Sequence, residues 1–151
     1  MAVEVRSVES GHAVLVTAAR GQLIVRYGPN GLGAASGEGR ISADMGDALL
    51  GAYDKLIERS GRALVFFDGA DVTGADAQLI ETAGSWVVKQ TASVVTHALV
   101  RSKLLELSVS MLNLFSRRST VELYTDRDKF LGVARREWPG FSLPTLAPRP
   151  G

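Results

Sequence analysis

The residues able to do chemistry are few, and they do not assemble. Asp68, Asp71 and Asp76 fall in one acidic passage behind an apolar run. Three carboxylates in nine positions raise the question of a divalent cation. An EF-hand needs a liganding Glu behind a glycine turn, and this spacing supplies none. Of the two histidines, His12 lies at a turn and His97 lies within an apolar, β-branched run. In that setting a hydrogen-bonded core histidine is expected, not a general base. No order of serine, histidine and acid, and no activated nucleophile, can be placed. The chain has no cysteine, which removes disulfides, thiolate zinc sites and cysteine nucleophiles. The expectation is a non-enzyme with no metal and no cofactor.

Glycine offers one more chemical reading. Residues 28–40, GPNGLGAASGEGR, have the look of a phosphate cradle. They match neither GxxxxGK followed by Ser or Thr nor GxGxxG, so a mobile surface loop is expected there. The charge of the whole chain is close to balanced, at +1 from 17 basic and 16 acidic residues. That balance argues against a dedicated nucleic-acid binder. The first ten residues, MAVEVRSVES, show no apolar signal region, and no apolar run is long enough to span a bilayer. A cytoplasmic protein is expected.

The elements that must position these residues follow from periodicity. With 151 residues, 46% of them hydrophobic, the chain suits one domain with a substantial core. Residues 3–8, 13–17 and 22–27 read as a β-meander. Residues 43–60 read as an amphipathic helix capped by Ser42, with Met45, Leu49, Tyr53, Leu56 and Ile57 on one face and Gly61 at its end. Residues 63–67 are apolar at every position, the mark of a strand buried on both sides. A turn-rich passage is expected over 69–75. A second helix then starts at Asp76, its N-cap, with Leu79, Ile80, Ala83, Trp86 and Val87 on one face, and ends near Gln90. Residues 93–100 form an inner strand, 102–118 a third helix and 120–124 a strand. Thr125 or Asp126 caps a fourth helix ending at Trp138 before Pro139. Trp86 and Trp138 lie at core spacing. The fold class is α/β: a single domain over 1–139, with a mixed sheet of about five to six strands and about four helices. The sheet is parallel in its later strands, and a Pro-rich, loosely held tail covers 140–151.

Over roughly residues 14–138 the chain resembles the STAS fold, and more closely its SpoIIAA-like branch. The blocks LVFFDGADVTGAD, HALVRSKLLELSVSML and TVELYTDRDKFLGVARREW carry the resemblance, together with the element order. STAS domains are anti-sigma-factor antagonists and related regulatory modules, and the SpoIIAA-like branch is often grouped with CRAL-TRIO lipid-binding proteins. The antagonists have a strand ending in Asp and, eight positions later, an Asp-Ser-Ser-Gly run opening a helix. Asp68 and Asp76 match that spacing, but Ala77 and Gln78 stand where the resemblance puts the phosphorylatable serine. The resemblance therefore implies a regulatory module without that switch. Asp71, Thr73, Asp76 and Gln78 would form its partner-facing loop and helix start.

The helix at 102–118 holds a further surface. At roughly 100° per residue, Leu104, Leu105, Leu107, Val109, Met111, Leu112, Leu114 and Phe115 cover an arc of roughly 220°. A helix lying on a core needs little more than about 100°. Leu104, Leu107, Met111, Leu114 and Phe115 are therefore expected to contact a protein partner or a second copy, giving a homodimer. The alternative function is a carrier or sensor of a lipid or other apolar small molecule held between sheet and helices. Trp86, Leu105, Val109 and Leu112 would line that pocket.

Overall fold

The computed structural model describes residues 4–7, 13–18, 21–101 and 119–145. They form β1 (Glu4–Ser7), β2 (Ala13–Ala18), β3 (Gly21–Tyr27), β4 (Leu32–Ile41), α1 (Ala43–Ser60), β5 (Arg62–Ala75), α2 (Ala77–Lys89), β6 (Ser93–Val100), β7 (Ser119–Tyr124) and α3 (Arg127–Glu137). The helix expected at 102–118 lies outside the described residues, and so does His12.

The seven strands make one mixed sheet whose spatial order is the order of the chain. β1 to β4 run antiparallel to their neighbours, and β4 to β7 run parallel. A parallel pair needs a crossover, and helices supply it. α1 carries the chain from β4 to β5, and α2 from β5 to β6. Both crossovers cover one face of the sheet, and α3 packs on the opposite face. The α/β architecture and the change to parallel strands are as the sequence implied.

β4 is the correction. Residues 28–40 were expected to form a surface loop, and only 28–31 turn, with Asn30 at φ 57 and Gly31 at φ 80. The rest is an interior strand between β3 and β5, and it brings the count to seven strands. Glycine and alanine suit this place because both faces of β4 are tightly covered. A methyl group added at Gly33 would stand 3.0 Å from Leu56 of α1 and 3.5 Å from Val65 of β5. A larger side chain would lift α1 off the sheet. Ala34 and Ala35 are both fully buried.

β5 is longer than its apolar core. Pairing with β4 continues through register shifts between Ser36 and Glu38 and between Gly39 and Arg40, and ends at Ile41 beside Ala75. The passage 69–75 is therefore strand, not turn. α1 ends as expected, with Gly61 at φ 74 donating its N–H to the Ile57 carbonyl at 2.7 Å. Its start is capped by Ser42, whose Oγ accepts from the Met45 N–H at 3.3 Å.

α3 is capped by Asp126, whose carboxylate accepts from the N–H groups of Asp128 and Lys129. It presses Phe130, Ala134 and Trp138 onto Phe66, Leu64 and Leu99. Phe141, assigned by sequence to the loose tail, is buried in this cluster. The Ser142 carbonyl accepts from Arg26 at 2.8 Å, and the same guanidinium lies 4.8 Å over the Trp138 ring. The tail is thus held at its start; residues 146–151 lie outside the described residues.

Candidate functional site

The α3 face of the sheet is filled with rings. Phe66 makes edge-on contacts with Phe130 and Phe141 and stacks on the His97 imidazole at 5.1 Å. His97 Nδ1 lies 2.8 Å from the Tyr124 hydroxyl. Tyr124 donates its one proton to Glu122 at 3.2 Å, so its oxygen is left to accept from Nδ1–H. Burial lowers the His97 pKa, against an opposing pull from Glu122 and Glu137. Burial likewise raises that of Tyr124, and Glu122 raises it further. His97 is thus a hydrogen-bonded core histidine, as its apolar strand implied.

The acids of the 68–76 passage are dispersed along β5 and across its edge. Asp68 accepts from Arg127 at 3.1 Å and from its neighbour's backbone, the Ala70 N–H, at 3.2 Å. Asp71 is exposed on the strand, 4.0 Å from Arg101. Thr73 and Gln78 are exposed. Asp76 occupies the N-cap position of α2, but its side chain caps nothing there. Its carboxylate accepts from Arg40 at 2.8 Å and from the Ala43 N–H, the first of α1, at 3.3 Å. The residue read as a cap for the second helix therefore ties the first helix to the end of β4. Among the described residues, no three metal-ligating side chains come together.

The α1–α2 face is different. α1 is seated on the sheet through Met45, Ala52, Tyr53 and Leu56, but no residue of α2 is fully buried. Between α2, α1 and the sheet lies a cavity of about 180 Å³. The five α2 residues that share its apolar stripe all line it: Leu79, Ile80, Ala83, Trp86 and Val87. α1 contributes Leu49, Leu50 and Tyr53, and β6 contributes Val94, Thr96 and Ala98. Among the described residues, no charged side chain lines it. α2 meets α1 at Gly46, where any side chain would run into Leu79.

Three hydroxyl-bearing residues line the cavity: Tyr53, Thr96 and, on β7, Thr120. The Tyr53 hydroxyl and Thr96 Oγ1 are hydrogen-bonded at 2.6 Å. Burial pushes the Tyr53 pKa up to about 12, so the phenol keeps its proton. Trp86 meets the Tyr53 ring edge-on at 5.7 Å, while its indole N–H points away to Asp54 at 2.9 Å. Of the residues expected to line an apolar pocket, Trp86 does so; Leu105, Val109 and Leu112 lie outside the described residues. The expected interface, Leu104, Leu107, Met111, Leu114 and Phe115, also lies outside them. Sequence reading missed the Tyr53–Thr96 pair. The signal available was weak: Thr96 shares a period-2 face with Val94 and Ala98, one hydroxyl on an apolar stripe.

No family model and no curated protein matches the sequence. Among solved structures, the chain is similar to an uncharacterized protein of the DUF3478 family with a SpoIIAA-like fold, from Shewanella loihica PV-4. The TM-score is 0.50 at 9% sequence identity, covering 87% of this chain and 91% of that one. A likeness at that identity is a likeness of fold: the chain has a SpoIIAA-like fold. Among the described residues, no helix is long and apolar enough to cross a membrane.

Proposed function

We propose that this chain is a non-enzymatic regulatory module that carries or senses an apolar small molecule in the cavity between the sheet and helices α1 and α2. One observation carries the reading: the whole apolar stripe of α2 faces a cavity where close packing would be usual. Concave, apolar walls with one polar pair are the usual build of a small-molecule site. A regulatory role rests on the resemblance to STAS modules. Ala77 and Gln78, at the start of α2, carry no hydroxyl, so control through a phosphate at that helix N-terminus is not available to them. The proposal therefore assigns the regulatory input to the ligand.

A second reading is a protein-interaction module that self-associates through residues 102–118, and the apolar arc of roughly 220° in that sequence favours it. Native mass spectrometry on freshly purified full-length chain separates the two. A protomer mass with a retained small apolar adduct supports the first reading, and a clean dimer without adduct supports the second. For the second, charged replacements at Met111 and Phe115 should give a folded monomer. A bare monomer whose melting temperature is indifferent to apolar additives counts against both.

A further inference from the structure

Resting on the cavity reading above, we infer that the ligand is an uncharged molecule of about one ring, with one oxygen that accepts a hydrogen bond from the Tyr53–Thr96 pair. Size comes first. An apolar cavity of about 150 Å³ takes up benzene. The cavity of about 180 Å³ here holds one ring with a small substituent. Among the described residues the cavity opens to solvent on one side, and a diacyl lipid could not be enclosed in it.

Charge comes second. Among the described residues no lysine, arginine or histidine lines the cavity, so a carboxylate or phosphate drawn inside would lose its hydration without a counter-charge from them. The polar handle comes third. Tyr53 and Thr96 each bring one hydroxyl proton, and their mutual bond uses one of the two. The other proton has no partner among the described residues, and it belongs to a hydroxyl on the cavity wall. A ligand oxygen completes the pair's hydrogen bonding. A phenol, an aryl ketone or a benzyl alcohol has the required chemistry. The wall beside the handle suits a ring, because the Trp86 indole N–H is taken by Asp54, its ring meets Tyr53 edge-on, and its apolar part lines the cavity.

The test is isothermal titration of the full chain with p-cresol, toluene, sodium decanoate and neutral phosphatidylcholine vesicles. Tighter binding of p-cresol than of toluene, by about fivefold, is expected from one net hydrogen bond. In the double variant Tyr53→Phe/Thr96→Val that preference should shrink towards one, with toluene affinity kept, whereas either single variant still leaves one hydroxyl proton for the ligand. Equal binding of p-cresol and toluene by the unaltered chain overturns the handle, and that comparison needs no variant to fold. Binding of decanoate or vesicles with neither aromatic bound overturns the ring-sized ligand while leaving an apolar-ligand function standing. Binding of none of the four overturns both this inference and the cavity reading.

Discussion

The two faces of the sheet are built from similar residues and packed to different ends. On the α3 face, Phe66, Phe130, Trp138 and Phe141 interlock, and the imidazole stacked on Phe66, His97, is hydrogen-bonded to Tyr124. On the α1–α2 face, α1 is seated by small residues beneath it, while α2 stands over a cavity. The same strands serve both. β6 gives Val95, His97 and Leu99 to one side and Val94, Thr96 and Ala98 to the other. The filled face carries stability, and the other keeps room for something else. The cost of truncation is therefore the quantity that distinguishes them.

The largest effect belongs to the filled face. Phe66→Ala should cost about 3–5 kcal/mol in chemical denaturation, because the ring is wholly buried and its ring neighbours cannot collapse onto the gap. Leu79→Ala on α2 removes a half-buried side chain beside an existing cavity, and should cost less than about 2 kcal/mol. Equal costs at the two positions would erase the contrast between the faces.

Ala83→Leu should raise stability by about 1 kcal/mol by filling the cavity, and should abolish ligand uptake with it. A clear loss of stability would mean that the cavity walls cannot accept a larger side chain. Asp76→Ala should cost about 1 kcal/mol. The loss should appear in hydrogen exchange at the first turn of α1, where its carboxylate accepts the Ala43 N–H. Faster exchange confined to α2 would restore the cap that sequence reading placed there.

The smallest effect is a pH dependence on the filled face. Burial holds the folded-state pKa of His97 below its usual 6.5. As pH falls below that value, the unfolded chain takes up the proton first, so stability declines until the folded-state pKa is passed. Above about pH 6.5 the full contribution is present. Comparing denaturation midpoints at pH 7.5 and 5.5, His97→Gln should lose less stability on acidification than the unaltered chain. An equal loss in both would put the acid sensitivity elsewhere.

Legibility followed the size of the side chains. The bounds of α1 and α2, and the five residues on the apolar stripe of α2, could be read because large apolar residues recur at helical spacing. That the stripe faces a cavity could not, because periodicity reports which face turns inward and not whether anything fills it. β4 was misread for a related reason. In a strand of Gly, Ala and Ser the burial signal lies in its neighbours, Leu56, Val65 and Phe67, and the strand itself shows only what loops also show. Asp76 was placed correctly at a helix start. Its partners, Arg40 and Ala43, lie more than thirty positions away, and no local rule connects them.

The strand order has a kinetic consequence. Because each strand pairs only with its neighbours in the chain, no pairing waits on a segment threaded in from far away. The antiparallel strands close as hairpins, and α1 and α2 each make one crossover, so the entropy lost in closing these loops is correspondingly small. Mixed sheets in which late strands insert between early ones fold slowly because long-range closure must precede its reward. Here growth can start at the β4–β5 pair, the point where antiparallel and parallel halves meet, and add strands outward in both directions. Rapid refolding after dilution from denaturant follows from that order.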